Sequence, residues 1–294
     1  MLLYQPGCRA FRLAETARQA AHRVLAGMAG SAILDRQTAD HRDYAPGDDY
    51  RAVDWYVCAR HDELRVRQTT GEIDSRFSIL LDCSRSMALG SPAKFAVARE
   101  SAMAIAALVA GEGVEVAAAG LGERAAAVAP PVRRSPPAGL ARFLEGLAAE
   151  ESGIDFERVA RQWVRGRRPG PAVLLSDCLE WDNIRQGLMA LAEHGHRPWL
   201  IHLIDRGEAE PALLGDVELV DIETGSAWEA TIREKHVARY RQLFDNLRRQ
   251  VTVDCRRLGI LHRAVMTDGA LDEALWRRLG IDFARLIGRQ GARR

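Results

Sequence analysis

From residue 77 onward, short and mainly apolar runs recur along the chain. Longer stretches separate them, in which apolar and charged positions mix at helical spacing. The runs FSILLD (77–82), VEVAAAG (114–120), PAVLLSD (171–177), PWLIHLID (198–205) and LHRAVMT (261–267) read as buried strands. A weaker strand signal covers 217–222, and 125–128 is placed beside 114–120. The pattern predicts helices over 91–111, 135–149, 155–165, 182–193, 230–258 and 271–279. Pro92 lies near the start of the first, where its missing N–H does no harm. Strands alternating with helices predict an α/β fold, a mostly parallel, Rossmann-like sheet with helices on both faces.

The first quarter of the chain is patterned differently. Phe11, Leu13, Ala17, Val24, Leu25 and Met28 recur at mostly helical spacing over 9–29, which predicts an amphipathic helix. Residues 36–72 are dense in charge and turn formers, with Pro46-Gly47-Asp48 as the clearest turn signal. Strand-like pieces at 52–57 and 64–67 flank it. The expected organisation is a helix and strand-rich extension over 1–73, followed by an α/β domain over 74–294.

Composition narrows the function classes. Hydrophobic residues form 47% of the 294, enough for a real core. A net charge of +1 offers no global field to attract nucleic acid, so none is expected as a partner. The five cysteines are widely spaced and form no C-x-x-C, so a disulfide framework is not expected and a reducing compartment is. With no signal-peptide pattern and no membrane-length apolar stretch, a cytoplasmic protein without a membrane span is expected.

The chemistry concentrates at the ends of two buried strands. The first ends in Asp82-Cys83-Ser84-Arg85-Ser86. Alternation turns the oxygens of Asp82, Ser84 and Ser86 the same way as the chain leaves the sheet. A carboxylate with two hydroxyls is a hard-oxygen cluster that suits Mg²⁺ or Mn²⁺ better than Zn²⁺. The second strand ends in Ser176-Asp177. Were the two strands neighbours, Asp82 and Asp177 would share one rim, and a divalent cation would relieve their repulsion. Each aspartate can instead cap the helix that follows it. The combination of D-x-S-x-S with a later S-D favours the metal.

These residues carry a resemblance. D-C-S-R-S with the later S-D resembles the metal-ion-dependent adhesion site of von Willebrand factor A domains. The stretch Tyr44-x-Pro46-Gly47-Asp48-Asp49-x-Arg51-x-Val53-Asp54-Trp55 is similar to a signature of the domain-of-unknown-function-58 family. Ala59-Arg60, Leu64, Val66, Lys94 and Asp221-Ile222-Glu223-Thr224-Gly225 match that family too, and the resemblance runs from about residue 27 to 268. It implies a von Willebrand factor A-like fold and a role as partner or adaptor of a MoxR-type AAA+ ATPase, and of that ATPase's client protein.

The adhesion-site pattern also implies a threonine ligand where this chain has Ile154, in Gly153-Ile154-Asp155-Phe156. Isoleucine has no oxygen to offer, so weak metal binding is expected, and restoring a threonine is expected to tighten it. Asp155 is the candidate substitute ligand. Cys83 and Cys178 read as small buried hydrophobes, and His194, His196 and His202 lack carboxylate companions at ligand spacing. The mixed charges of Asp48, Asp49, Arg51, Asp54 and Arg60 read as a network fastening the extension, with a docking surface as the alternative. No phosphate-binding G-x-x-x-x-G-K-[ST], no G-x-S-x-G elbow and no H-E-x-x-H occurs. The chain is therefore expected to bind and not to catalyse. A metal-dependent, phosphoesterase-like hydrolase on a similar sheet is the alternative, and turnover of a generic phosphate ester would discriminate the two.

Overall fold

The computed structural model describes residues 40–43, 65–68, 76–111, 114–122, 126–129, 131, 138–150 and 152–268. The helix expected over 9–29, the strand over 52–57, the Pro46-Gly47-Asp48 turn and the helix over 271–279 lie outside them. Two units are distinguished. In one, β1 (Asp40–Asp43) pairs antiparallel with β2 (Arg65–Gln68). The other contains residues 76–268 and is built around a six-stranded sheet.

That sheet consists of β3 (Arg76–Asp82), β4 (Glu115–Leu121), β5 (Ala126–Val128), β6 (Pro171–Ser176), β7 (Arg197–Ile204) and β10 (Leu261–Met266). Its spatial order is β10-β7-β6-β3-β4-β5. Every pairing is parallel except that of β5, which runs antiparallel to β4. The fold is the expected mostly parallel α/β sheet. β3 is buried from Phe77 to Asp82 and β6 along its whole length, and their central runs Ile79–Leu81 and Pro171–Leu175 are apolar because both faces of the sheet are covered.

One face of the sheet packs on α3 (Phe156–Val164), α4 (Trp181–Glu193) and α6 (Glu234–Arg257). Leu80, Ala119, Leu121, Ala172, Leu174 and Leu200 from the strands join Val159, Trp163, Ile184, Leu188, Val251 and Cys255 from these helices in a single cluster. The alternate strand residues Ile79, Leu81, Val173, Leu175 and Ile201 are equally buried and point to the opposite face. There α1 (Lys94–Gly111), apolar nearly all round, lies against β3 and β4. Shorter helices are α2 (Ala138–Gly146) and α5 (Arg206–Ala209). No described helix is long and apolar enough to cross a membrane.

The structure departs from expectation between residues 215 and 233. β8 (Gly215–Val220) does not join the main sheet. It pairs antiparallel with β9 (Ala227–Ile232), whose second half falls within the helix expected over 230–258, and α6 begins only at Glu234. Both strands are largely exposed, so neither has the buried apolar face that marks a strand in sequence. The turn joining them is set by Asp221, whose Oδ1 accepts the N–H of Glu223 at 2.9 Å. Gly225 follows at φ +73°, a left-handed conformation that favours glycine.

The connections put a switch point between β3 and β6. From β3 the chain moves outward to β4 and β5, then crosses back to lay β6, β7 and β10 on the other side. At such a reversal the loops leaving the two strands part in opposite directions and open a crevice at the carboxyl ends, where open α/β sheets bind ligands.

Candidate metal centre

Asp82 and Asp177 leave the sheet side by side at this crevice. β3 and β6 pair with Leu81 opposite Leu175, which brings Asp82 level with Ser176. The Ser176 hydroxyl donates to Asp82 Oδ2 at 2.6 Å and accepts the N–H of Cys178 at 3.1 Å. Asp82 Oδ1 accepts the N–H of Ser84 at 2.9 Å, folding the D-x-S-x-S loop back on itself. A 3-10 turn over Arg85–Ala88 follows. It carries the hydroxyls of Ser84 and Ser86 to within 3.1 Å of each other. Cys178 adopts φ +58°, an uncommon conformation for a residue with a side chain, at the tight exit from β6.

The electrostatics of the two aspartates differ. Asp82 is 1% exposed and has no ion-pair partner among the described residues. Burial first, and the neighbouring charge of Asp177 second, raise its carboxyl from 3.8 to about 6. Asp177 has a cation of its own: Lys94 Nζ donates to its Oδ2 at 2.8 Å and also to Glu208 Oε1. Burial works against the Lys94 ammonium, but the charge of Asp177 and the hydrogen bonds to both carboxylates outweigh it. Lys94 is thereby held above its ordinary value. Leu179 N completes Asp177 by donating to Oδ1 at 3.3 Å.

A third carboxylate comes from the β8–β9 turn. Glu223 Oε1 accepts the Ser86 N–H at 3.0 Å. Its Oε2 is buried with no hydrogen-bond partner among the described residues. Arg85 ties the turn down through backbone atoms, donating to the carbonyl oxygens of Glu223 and Glu150 at 3.1 Å each.

The donor set meets the needs of a hard divalent cation: a buried carboxylate without a counter-charge, two hydroxyls turned together, and an orphaned carboxylate oxygen beside them. Among the described residues no group of three or more His, Cys, Asp or Glu side chains is arranged to hold a metal, so a site here depends on the serine hydroxyls. Ile154 is 3% exposed and belongs to the apolar cluster with Leu80 and Leu121. Asp155 caps α3, its Oδ1 accepting the N–H of Arg158 at 2.9 Å. That role commits its carboxylate to the helix.

The other groups singled out in the sequence have structural surroundings. Cys83 and Cys178 are buried free thiols, and burial pushes Cys178 well above its ordinary value. His196 lies against Trp163, and His202 against His262 with ring centroids 5.8 Å apart. Four participants carry no site role in the sequence reading: the Ser176 hydroxyl, Lys94, Glu208 and the carboxylate of Glu223. Lys94 and Glu223 carried a signal, since both fall in segments with a family match, and a lone lysine opening an apolar helix needs a partner. Glu208 carried none.

A mostly parallel α/β sheet with a polar crevice at its switch point defines the class of protein. The chain belongs to the family described as "Protein of unknown function DUF58", which matches residues 40–252. Uncharacterized proteins of Mycobacterium tuberculosis (Rv1480) and Mycobacterium bovis (Mb1516) are each 31% identical to it over 203 residues. The match covers 67% of this chain and 63% of theirs, so the chain spans less than two thirds of the length of these relatives. Among solved structures it is similar to the conserved hypothetical protein BatB from Bacteroides thetaiotaomicron, with a TM-score of 0.46 and 13% identity over 73% of this chain and 99% of that one. It is also similar to the pilus adhesin SpaC from Lactobacillus rhamnosus GG, with a TM-score of 0.40 and 10% identity over 73% of this chain and 30% of that one.

Proposed function

We propose that the chain is a non-enzymatic protein-binding or adaptor module that holds Mg²⁺ or Mn²⁺ in the manner of a von Willebrand factor A adhesion site. Asp82, Ser84 and Ser86 would hold the ion, with Asp177 behind them, and the ion would offer a coordination position to an acidic side chain. The observation that carries this reading is Asp82: a buried carboxylate, beside a second carboxylate and two hydroxyls, with no cation to balance it among the described residues. A fold keeps such a group when something that binds there uses its charge. The partner proposed is the MoxR-type AAA+ ATPase that the family resemblance implies, in the cytoplasm.

The test is binding of the purified chain to the MoxR-type ATPase of the same cell, by calorimetry in Mg²⁺ and in a chelator. Affinity is expected to fall at least tenfold in the chelator and equally in Asp82→Ala. Unchanged affinity in both would remove the ion from docking. Turnover of p-nitrophenyl phosphate that vanishes in Asp82→Ala would replace the binding module with a hydrolase.

A further inference from the structure

We infer that Glu223 is an internal metal ligand, a carboxylate brought by the β8–β9 turn to fill the position that Ile154 leaves without an oxygen. The inference rests on the metal reading above and goes beyond it in naming the residue that completes the shell.

Three observations meet at Glu223. Its Oε1 is anchored on the Ser86 N–H at 3.0 Å, so the carboxylate is fixed to the residue whose hydroxyl belongs to the donor set. Its Oε2 is buried and has no hydrogen-bond partner among the described residues. A charged oxygen withdrawn from water without a partner is expensive, and a carboxylate with only that oxygen idle is poised to give it to a cation. The backbone around it is also set to present it. Asp221 Oδ1 accepts the N–H groups of Glu223 and Thr224 at 2.9 and 3.4 Å, and Arg85 holds the Glu223 carbonyl at 3.1 Å. Arg85 donates to backbone carbonyls and not to the Glu223 carboxylate.

The threonine position cannot serve the same purpose, because Ile154 sits in the apolar cluster and Asp155 is engaged in capping α3. With Glu223 as ligand, the ion is held by carboxylates from β3 and from the β8–β9 turn, with two serine hydroxyls between them. Metal binding then fastens the exposed β8–β9 ribbon to the rim of the sheet. A partner's acidic side chain reaches the ion beside Glu223 or by displacing it.

Glu223→Gln tests this at nearly constant shape, since the amide oxygen can still accept the Ser86 N–H while the second oxygen becomes an NH₂ group that cannot ligate. Mn²⁺ is titrated calorimetrically into the wild type, Glu223→Gln and Asp82→Asn, and amide exchange over residues 215–232 is followed with and without the ion. The wild type is expected to bind Mn²⁺ and to gain protection over 215–232. Glu223→Gln is expected to bind 10–100-fold more weakly, as for loss of a supporting metal contact, and to gain no protection. Wild-type affinity in Glu223→Gln, with binding lost in Asp82→Asn, overturns the role of Glu223 and leaves the metal site standing. No Mn²⁺ uptake by the wild type overturns both.

Discussion

Lys94 Nζ and Asp177 Oδ2 meet at 2.8 Å, and the lysine has no exposed surface at all. The pair joins the first residue of α1 to the end of β6, across the switch point of the sheet. It also divides the labour between the two aspartates of the rim. Asp177 is balanced by Lys94, whereas Asp82 beside it has no such partner among the described residues.

Removing the ammonium should therefore be more damaging than its single hydrogen-bonded contact to Asp177 suggests. Lys94→Met would keep much of the side-chain volume but strand the buried Asp177, and the partly buried Glu208, without their cation. Breaking a buried pair from one side costs about 3–5 kcal/mol. Urea denaturation of Lys94→Met should show a loss of that order, and adding Asp177→Asn should recover part of it. A single variant as stable as the wild type would mean that water reaches Asp177 and solvates it.

Acid should unfold the protein partly through its buried histidines. Burial first, and His262 second, lower His202 from 6.5 to about 3, so the fold holds it neutral. Its contribution is fully present above the unfolded value of about 6.5 and is lost as pH falls towards about 3. At roughly 1.4 kcal/mol for each unit crossed, that is a steep acid limb. Asp82 works in the opposite sense. Its carboxyl is raised to about 6, so its contribution is present below about 4 and lost as pH rises through 6. His262, lowered by burial first to about 4, adds a second loss in the sense of His202, so in chelator the wild type should lose stability from pH 6.5 to 4.5. His202→Met should lose clearly less, because the opposing gain from Asp82 is uncovered. Parallel curves of denaturation midpoint against pH would show that His202 is not what titrates.

The parts of this architecture that were legible in sequence are those that local pattern encodes. β3 and β6 announce themselves because an apolar run that stops at Asp82, or at Ser176-Asp177, has only one place to go in a covered sheet. The antiparallel partner of β4 was legible as well. β9 was not, since Trp228, Ala230 and Ile232 alternate on an exposed ribbon without a core to bury them, and the charged, helical pattern of α6 runs into them. The convergence of Lys94, Glu208 and Asp177 depends on the crossing of α1 over the switch point, which no local spacing records. Glu223 stood in a recognisable segment, yet its place beside Ser86 follows from the fold of the β8–β9 turn and not from the motif.

Ile154 is where structure changes the expectation most. As a missing ligand, its replacement by threonine should tighten the ion. In the fold, Ile154 is 3% exposed among Leu80, Leu121 and Phe156. Asn183 clamps the same turn, donating from Nδ2 to the Ile154 carbonyl at 2.5 Å and accepting the Phe156 N–H on Oδ1 at 2.9 Å. The backbone there is fixed, so a new side chain must take the space Ile154 now fills. Threonine would lose apolar volume and bury a hydroxyl among hydrocarbon, a change that is not isosteric. The expected result for Ile154→Thr is a loss of about 1–2 kcal/mol in urea denaturation. Mn²⁺ affinity should stay within about threefold of the wild type, less than half of the roughly 1.4 kcal/mol that a tenfold change represents. Calorimetry and denaturation on the same preparation check both halves. A variant that binds Mn²⁺ tenfold more tightly would place the hydroxyl on the ion, and the ligand role would then pass from Glu223 back to position 154.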